Sequence, residues 1–279
     1  MERITTAPRT VLVWRKRSLP LTTVGLLLAS LPMLAYLLLP LLALIARVNP
    51  ATLVAQFANP EISQALGLSF TTTACSTLLG LVCGTPLAYL LARGRFPGRS
   101  LLDTLIELPM VLPPSVAGIA LLITFGRRGL VGAQLNEAGL SVAFTTLAVV
   151  LAQTFVAAPF YIKTAVAGFA GVERELEYAA ATDGASPWQV FTRITLPLAG
   201  PVLLGGWVMS WARALGEYGA TIIFAGNFPG RTQTMPLAIY LGFEMDIDLA
   251  LSLALIMLAL SFFILWLVKA ILRQRVSAA

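Results

Sequence analysis

Six long apolar runs, separated by short polar or charged stretches, dominate the chain: Leu19–Ala46, Ala65–Ala92, Thr104–Phe125, Ser141–Ala165, Leu198–Ala225 and Leu249–Leu272. At about 1.5 Å per helical residue, each is long enough to cross roughly 30 Å of hydrocarbon. The short strands of alternating polarity that a transmembrane barrel needs are absent. The pattern therefore predicts an all-α fold, a polytopic integral membrane helical bundle with six spans. A seventh apolar stretch, "TMPLAIYLGF" (Thr234–Phe243), is too short to span and predicts a re-entrant or capping helix.

Composition agrees with the pattern. Of the 279 residues 58% are hydrophobic and 11% charged, against roughly a quarter charged in soluble domains. The net charge of +6 could suggest nucleic acid, but the basic residues cluster at the ends of apolar runs, which is membrane topology. One side collects Arg3, Arg9, Arg15, Lys16, Arg17, Arg93, Arg95, Arg99, Lys163, Arg174, Arg193, Lys269, Arg273 and Arg275. The other holds Arg47, Arg127, Arg128 and Arg231. The first side is expected to be cytoplasmic, with both termini. The run after Arg15–Arg17 is longer than a ~7–15-residue signal core, so it is read as an uncleaved first span. Residues 1–18 then form a basic tail and residues 19–279 the transmembrane domain.

Several chemistries are excluded or demoted. There is no histidine, so histidine metal sites and histidine catalysis are out. Cys75 and Cys83 fall about two turns apart on one predicted helix, roughly 12 Å, too far to bridge. They are expected to be small buried apolar residues. Glu244, Asp246 and Asp248 lack the glycine and distal glutamate of a calcium loop and read as a solvated face. No G-x-x-x-x-G-K-[ST] phosphate loop occurs, so the chain itself cannot cradle ATP by that device.

Residues 173–197 depart from the lipid-soluble pattern. Glu173, Glu175 and Glu177 before a run of alanines favour a helix that stops at Asp183-Gly184. A second helix starts at once: Ser186 caps it, Pro187 takes its first position and Gln189 completes a capping box. Trp188, Phe191 and Ile194 are expected on or near one face, and Pro197 is expected to separate this helix from the fifth span. The product is a double-helix elbow with an aromatic face. Without a partner it would be an ordinary connector folded on its own bundle.

Two features lie within the spans. Pro109, Pro113 and Pro114 interrupt the third, and a restart near Ser115 would offer unpaired N–H groups suited to an oxyanion. A packing kink is the other reading. Arg213 and Glu217, four apart in the fifth span, can pair along one helix face or act on a substrate. Arg127 and Arg128 could attract an anion or a binding protein, or act as interfacial anchors.

The stretch "EYAAATDGASPWQVFTRITLP" (Glu177–Pro197) resembles the "EAA" signature of permeases of ATP-binding-cassette importers: Glu-Ala-Ala, three residues, Gly, nine residues, Ile-x-Leu-Pro. Ala179, Ala180, Gly184, Ile194, Leu196 and Pro197 match in spacing. Tyr178 stands at the glutamate position, with Glu177 one residue earlier. "ELPMVLPPSVAGIALLITFGRRGLVG" (Glu107–Gly132) and "RALGEYGATIIFAGNFPGRTQTMPLAIY" (Arg213–Tyr240) are similar to permeases of molybdate importers. Sulfate importers share "ALGEYG", and tungstate is not separated by these motifs.

The resemblance implies a coupling helix that docks in a groove on a soluble ATPase. Its coupling residues would be Glu177, Ala179, Ala180, Gly184, Trp188, Ile194, Leu196 and Pro197. It further implies a homodimer, two ATPase subunits that bind ATP and Mg, and an external substrate-binding protein. No cofactor or catalysis is expected in this chain. The anion would cross at the interface of the two copies, in a bacterial or archaeal inner membrane. Pro113, Pro114, Ser115, Arg213 and Glu217 are the candidate path residues. A secondary transporter or channel would explain the spans but not the elbow. An intramembrane enzyme would need a nucleophile–base pair or metal ligands that the spans do not offer.

Overall fold

The computed structural model describes residues 21–57 and 59–277, with side chains described over 25–54 and 59–270. The basic tail 1–18, with Arg3, Arg9 and Arg15–Arg17, lies outside the described residues. So do the side chains of Arg273 and Arg275. Every regular element among the described residues is helical. Five helices are long and apolar enough to cross a membrane, or six if one sharply bent pair counts as a span. The chain divides into two units, one running to Arg47 and the other from Val48 onward. The first holds α1 (Leu21–Arg47), an apolar helix with Pro32 and Pro40 inside it.

The second unit is built around α7 (Thr146–Ala170). Along it pack α3 (Pro60–Arg93) and α10 (Leu196–Leu215). Near its first half lie α5 (Pro114–Phe125) and the short α11 (Gly219–Phe224), where Ala117, Leu121, Ala220 and Phe224 meet Ala148, Val149, Ala152 and Val156. Near its second half lies α4 (Arg99–Val111), with Leu102 and Ile106 against the cluster of Tyr161, Ala165 and Phe169. Two short helices, α2 (Pro50–Phe57) and α6 (Gly132–Glu137), link these elements. The last two, α12 (Met235–Met245) and α13 (Ile247–Ser277), pack together, with Gly242 against Ala250.

Local chemistry sets the helix ends. Asn59 accepts a hydrogen bond from the Glu61 N–H at 3.0 Å and Pro60 takes the first position of α3, so that helix starts five residues before the apolar run. Thr145 caps α7 through the Ala148 N–H, and Gly171 follows its last residue. The fourth span is therefore Thr146–Ala170 rather than Ser141–Ala165, and Lys163 lies inside it.

Small residues let α3 and α10 approach α7. The buried side of α3 runs through Thr72, Thr73, Ser76, Thr77, Gly80, Gly84 and Ala88. Its hydroxyls are satisfied within the helix, as in Thr73 Oγ1 to Ser69 O and Thr77 Oγ1 to Thr73 O, both 2.7 Å. A Cβ at Gly84 would lie 2.9 Å from Ile162 Cγ1, and one at Gly206 only 2.7 Å from Thr164 Cβ. This is the packing expected where lipid is as apolar as the helices and only close contact holds them. Cys75 and Cys83 fall off this buried side and are exposed, contrary to the expectation of burial.

Two spans differ from the apolar runs. The third is not one helix: α4 and α5 meet at 113°. Pro113 has no N–H to continue the ladder, and Pro114 forces Pro113 out of helical geometry, to φ −53, ψ 133. Leu112 is extended as well, at φ −64, ψ 136. The fifth span ends at Leu215 instead of Ala225, because the chain turns at Gly216–Tyr218 before α11.

At its other end the fifth span reaches back to Pro187, so Pro197 does not separate the elbow helix from it. The wide turn Phe191–Thr195, in which the Leu196 N–H reaches back five residues to Phe191 O, makes the junction. Pro197 follows that turn at a start position of α10, where its missing N–H and ring are tolerated. The apolar stretch 234–243 is a helix, α12, held at its start by the Met235 N–H donating to Ser69 Oγ at 2.7 Å. Asp246 caps α13 through the Asp248 N–H, and Glu244, Asp246 and Asp248 are exposed.

The close approach at Gly206 has a direct test, because a Cβ at Gly205 would meet nothing within 4 Å. Gly206→Ala should destabilise the detergent-purified protein by about 1–3 kcal/mol through overpacking. Gly205→Ala should be neutral or stabilising by up to about 1 kcal/mol, since alanine is the better helix former. Thermal unfolding of the two variants measures the difference.

Candidate functional site

The elbow is made by local hydrogen bonds. Its first helix, α8 (Arg174–Thr182), ends in a Schellman arrangement. The Ala185 N–H bonds Ala180 O at 3.0 Å and the Gly184 N–H bonds Ala181 O at 3.1 Å. Gly184 adopts φ +90, a conformation that side chains resist. The second helix, α9 (Pro187–Val190), opens on the capping box, in which the Ser186 N–H donates to Gln189 Oε1 and the Gln189 N–H to Ser186 Oγ. Ala179 and Gly184 are exposed on the elbow, and Pro197 is exposed at the start of α10.

Trp188 stands out, 71% exposed, with its ring 5.8 Å from Phe191. Phe191 in turn meets Tyr89 at 4.9 Å and Phe169 at 6.1 Å. Between Trp188 and the end of α3 lies an apolar cleft of about 720 Å³, bounded by Pro86, Tyr89, Leu90 and Arg93. Ile194 does not share this face. The wide turn carries it to the other side, where with Ala180, Asp183, Gly184 and Arg193 it borders a second cleft of about 350 Å³. Leu196 packs on the cluster around Ala165 and Phe169.

Glu177 faces the bundle. Its Oε1 accepts from Arg93 Nη2 at 3.0 Å and from Thr195 Oγ1 at 2.6 Å. Arg93 Nη2 also donates to Val172 O at 2.8 Å. Tyr178, at the position where the signature has glutamate, is exposed. Sequence reasoning used Arg93 only as a topology marker, and Thr195 not at all. It likewise counted Lys163 among the flanking cations, whereas Lys163 Nζ pairs with Asp103 at 2.8 Å and Glu107 at 2.6 Å on α4.

The candidate path residues come from two stretches that the fold joins. Pro113, Pro114 and Ser115 are exposed at the bend between α4 and α5. Gly219 abuts them so closely that a Cβ there would lie 2.8 Å from Pro114 Cβ. One residue before Tyr218–Gly219 is Glu217, 1% exposed. Its Oε2 accepts from Arg213 Nη1 at 2.7 Å and its Oε1 from the Ala220 N–H at 2.7 Å. Glu217 thus pairs with Arg213 and caps α11, in the turn after α10 rather than within a continuous span. At the bend, the Val116 and Ala117 N–H groups both turn back to Pro113 O, at 2.9 and 3.1 Å. That leaves the Ser115 N–H as the donor of the first turn nearest Gly219.

The model of the family "Binding-protein-dependent transport system inner membrane component" matches residues 84–277. The molybdenum transport system permease protein ModB of Mycobacterium tuberculosis is 44% identical over 228 residues, 82% of this chain and 86% of that protein. A probable molybdenum ABC transporter permease protein of Haloferax volcanii is 39% identical over 257 residues, 91% of this chain and 93% of that protein. Among solved structures, a bacterial ABC transporter that imports the acidic polysaccharide alginate superposes with a TM-score of 0.72 at 20% identity, covering 91% of this chain and 97% of that one. The MetNI methionine ABC transporter superposes with a TM-score of 0.56 at 17% identity, covering 76% and 93%. The chain belongs to the family of binding-protein-dependent transport permeases, in its molybdenum-permease group.

The Arg213–Glu217 pair yields a prediction. Glu217→Ala removes both the partner of Arg213 and the cap of α11. It should cost about 2–3 kcal/mol, below the ~3–5 kcal/mol of a fully buried pair, because Arg213 is 29% exposed. Arg213→Gln should cost less, since Glu217 keeps the Ala220 N–H. Unfolding of both variants in mixed micelles gives the order.

Proposed function

We propose that this chain is the permease subunit of an ATP-driven importer whose substrate is molybdate. It works as a homodimer, with two cytoplasmic ATP-binding-cassette subunits that bind ATP and Mg, and with an external binding protein that delivers the anion. The catalytic step of ATP hydrolysis belongs to those partner subunits. The observation that carries the reading is the elbow: two short helices, rigidly capped, that present Trp188 on the surface of a membrane bundle. The sequence similarity to molybdenum permeases supports the choice of substrate. Tungstate and sulfate or thiosulfate are the competing oxyanions, and a secondary anion transporter is the more distant rival.

In this reading the elbow enters a groove of the ATPase, with the Trp188 ring as anchor and Gly184 holding the turn. The basic asymmetry of the chain supports an elbow and two termini on the cytoplasmic side of a bacterial or archaeal inner membrane. ATP-driven closure of the ATPases moves the two elbows and switches a central cavity between inward-open and outward-open. The anion passes the Pro113–Ser115 bend near the interface of the two copies. Backbone N–H groups and the Ser115 hydroxyl would contact it there, while Arg213 stays engaged by Glu217. A free buried arginine would hold a dianion too tightly for release, since such attractions grow steeply in a low dielectric.

The complex should co-purify with its ATPase and take up molybdate into proteoliposomes only with ATP inside the cytoplasmic compartment. Excess tungstate or sulfate in the same assay ranks the oxyanions. Trp188→Ala should release the ATPase in pull-downs while the permease's own thermal midpoint stays put, because so exposed a ring contributes little to its fold. Equal loss of both would make Trp188 a packing residue. A chain that carries molybdate with no ATPase present would establish the secondary transporter.

The path assignment has its own check. In a background with Cys75 and Cys83 replaced, single cysteines from Leu112 to Ala117 should react with thiol reagents in one nucleotide state and be protected in the other. If none of these positions reacts in either state, the bend is packed away from the path.

A further inference from the structure

We infer that Arg93, acting through Glu177, is the positioning residue that ties the elbow to the transmembrane core and carries ATPase-driven movement into it. The inference rests on the coupling role proposed for the elbow. Apolar packing does not hold α8 in place: none of its residues is buried, and Leu176 and Tyr178 point outward. Its side-chain bonds to the bundle converge on one carboxylate. Glu177 Oε1 receives the Arg93 guanidinium at 3.0 Å and the Thr195 hydroxyl at 2.6 Å. The Arg93 nitrogen that makes this bond also binds Val172 O at 2.8 Å, pinning the link that leads from α7 into α8.

The surroundings strengthen this node. The side chains of Arg93 and Glu177 are 12% and 14% exposed and Thr195 is fully buried, so solvent and salt screen the pair weakly. The three groups belong to different elements. Glu177 belongs to the elbow, Arg93 is the last residue of α3, and Thr195 is the residue before α10. Both long helices are closely packed on α7. A displacement of α8 therefore reaches α3 and the start of α10 through one oxygen, beside the continuous helix that joins α9 to α10. The glutamate one residue ahead of the signature position is turned inward for this task, and Tyr178, at that position, faces out.

The test uses the full complex with its ATPase subunits in proteoliposomes, and reads molybdate uptake, ATP turnover, ATPase co-purification and the permease's thermal midpoint. Arg93→Gln should leave the complex assembled and ATP turnover continuing. Molybdate moved per ATP should fall about tenfold, within the range of one coupling interaction. Arg93→Lys, which keeps the charge but not the forked head, should fall between Arg93→Gln and the wild type. The exchanged pair Arg93→Glu with Glu177→Arg should recover part of the loss, which guards against a variant that simply misfolds. Wild-type transport per ATP in Arg93→Gln would overturn the inference. So would a parallel fall of uptake, turnover and thermal midpoint without recovery in the exchanged pair, which would leave Arg93 as a structural tie only. Either result leaves the coupling reading intact if the wild-type complex transports. A wild-type chain that binds no ATPase would overturn the coupling reading and this inference together.

Discussion

Close contact of α3 and α10 with α7 is the constraint on which the rest of the second unit depends. Within a bilayer there is no gain from hiding one apolar helix against another, so association must come from contact at short range. Gly84 and Gly206 supply that contact by presenting no side chain to Ile162 and Thr164. Serine and threonine hydroxyls on α3 fold back on their own carbonyls, so the approach leaves them satisfied. The positions of Arg93 and Arg213 are inherited from this assembly. Arg93 ends α3 just after Ala88 and Leu91 pack on Tyr161, Ala165 and Phe169, and Arg213 lies one turn after Ser210, whose hydroxyl bonds Ala157 O on α7.

The two polar regions lie at opposite ends of α10. At its start, Thr195 bonds the elbow's Glu177; in its last turn, Arg213 bonds Glu217. The 20 residues between Leu196 and Leu215 amount to about 30 Å of helix, roughly the thickness of the hydrocarbon. A close-packed helix of that length transmits displacement with little deformation, since packed interiors resist compression. The turn beyond it touches the Pro113–Ser115 bend through Gly219. In the proposed reading, α10 is the continuous stretch that joins the docking elbow to the broken helix on the anion path. Bistable packing rather than gradual bending would be the way such a route switches.

Much of this was readable along the chain, and what was not has a common cause. The spans followed from apolar run length, and the elbow from caps that act over three or four residues, such as Ser186 with Gln189 and Gly184 after α8. The bend was foreshadowed by Pro113-Pro114, though its 113° was not. The wide turn before Pro197 was missed because a proline there reads as a break, while a turn closed over five residues can absorb it. That same turn moved Ile194 off the face of Trp188. The pairings of Arg93 with Glu177 and of Lys163 with Asp103 join residues 84 and 60 positions apart, and no local pattern encodes such partners. Cys75 and Cys83 were misjudged because an apolar helix in lipid does not declare which side is inward. The displaced glutamate at 177 was the one available hint of the node.

In the proposed reading, the elbow, α3, α7 and α10 of one copy move as one body when the ATPases close. Spin labels at exposed Gln189 on the elbow and exposed Leu147 near the start of α7 test it directly, in mixed dimers where a single copy carries both. The distance within that copy should be the same with and without trapped ATP, while the Gln189–Gln189 distance between copies, measured in singly labelled dimers, shifts. A change of the Gln189–Leu147 distance on trapping would mean that the elbow bends independently of the core, and would contradict the account.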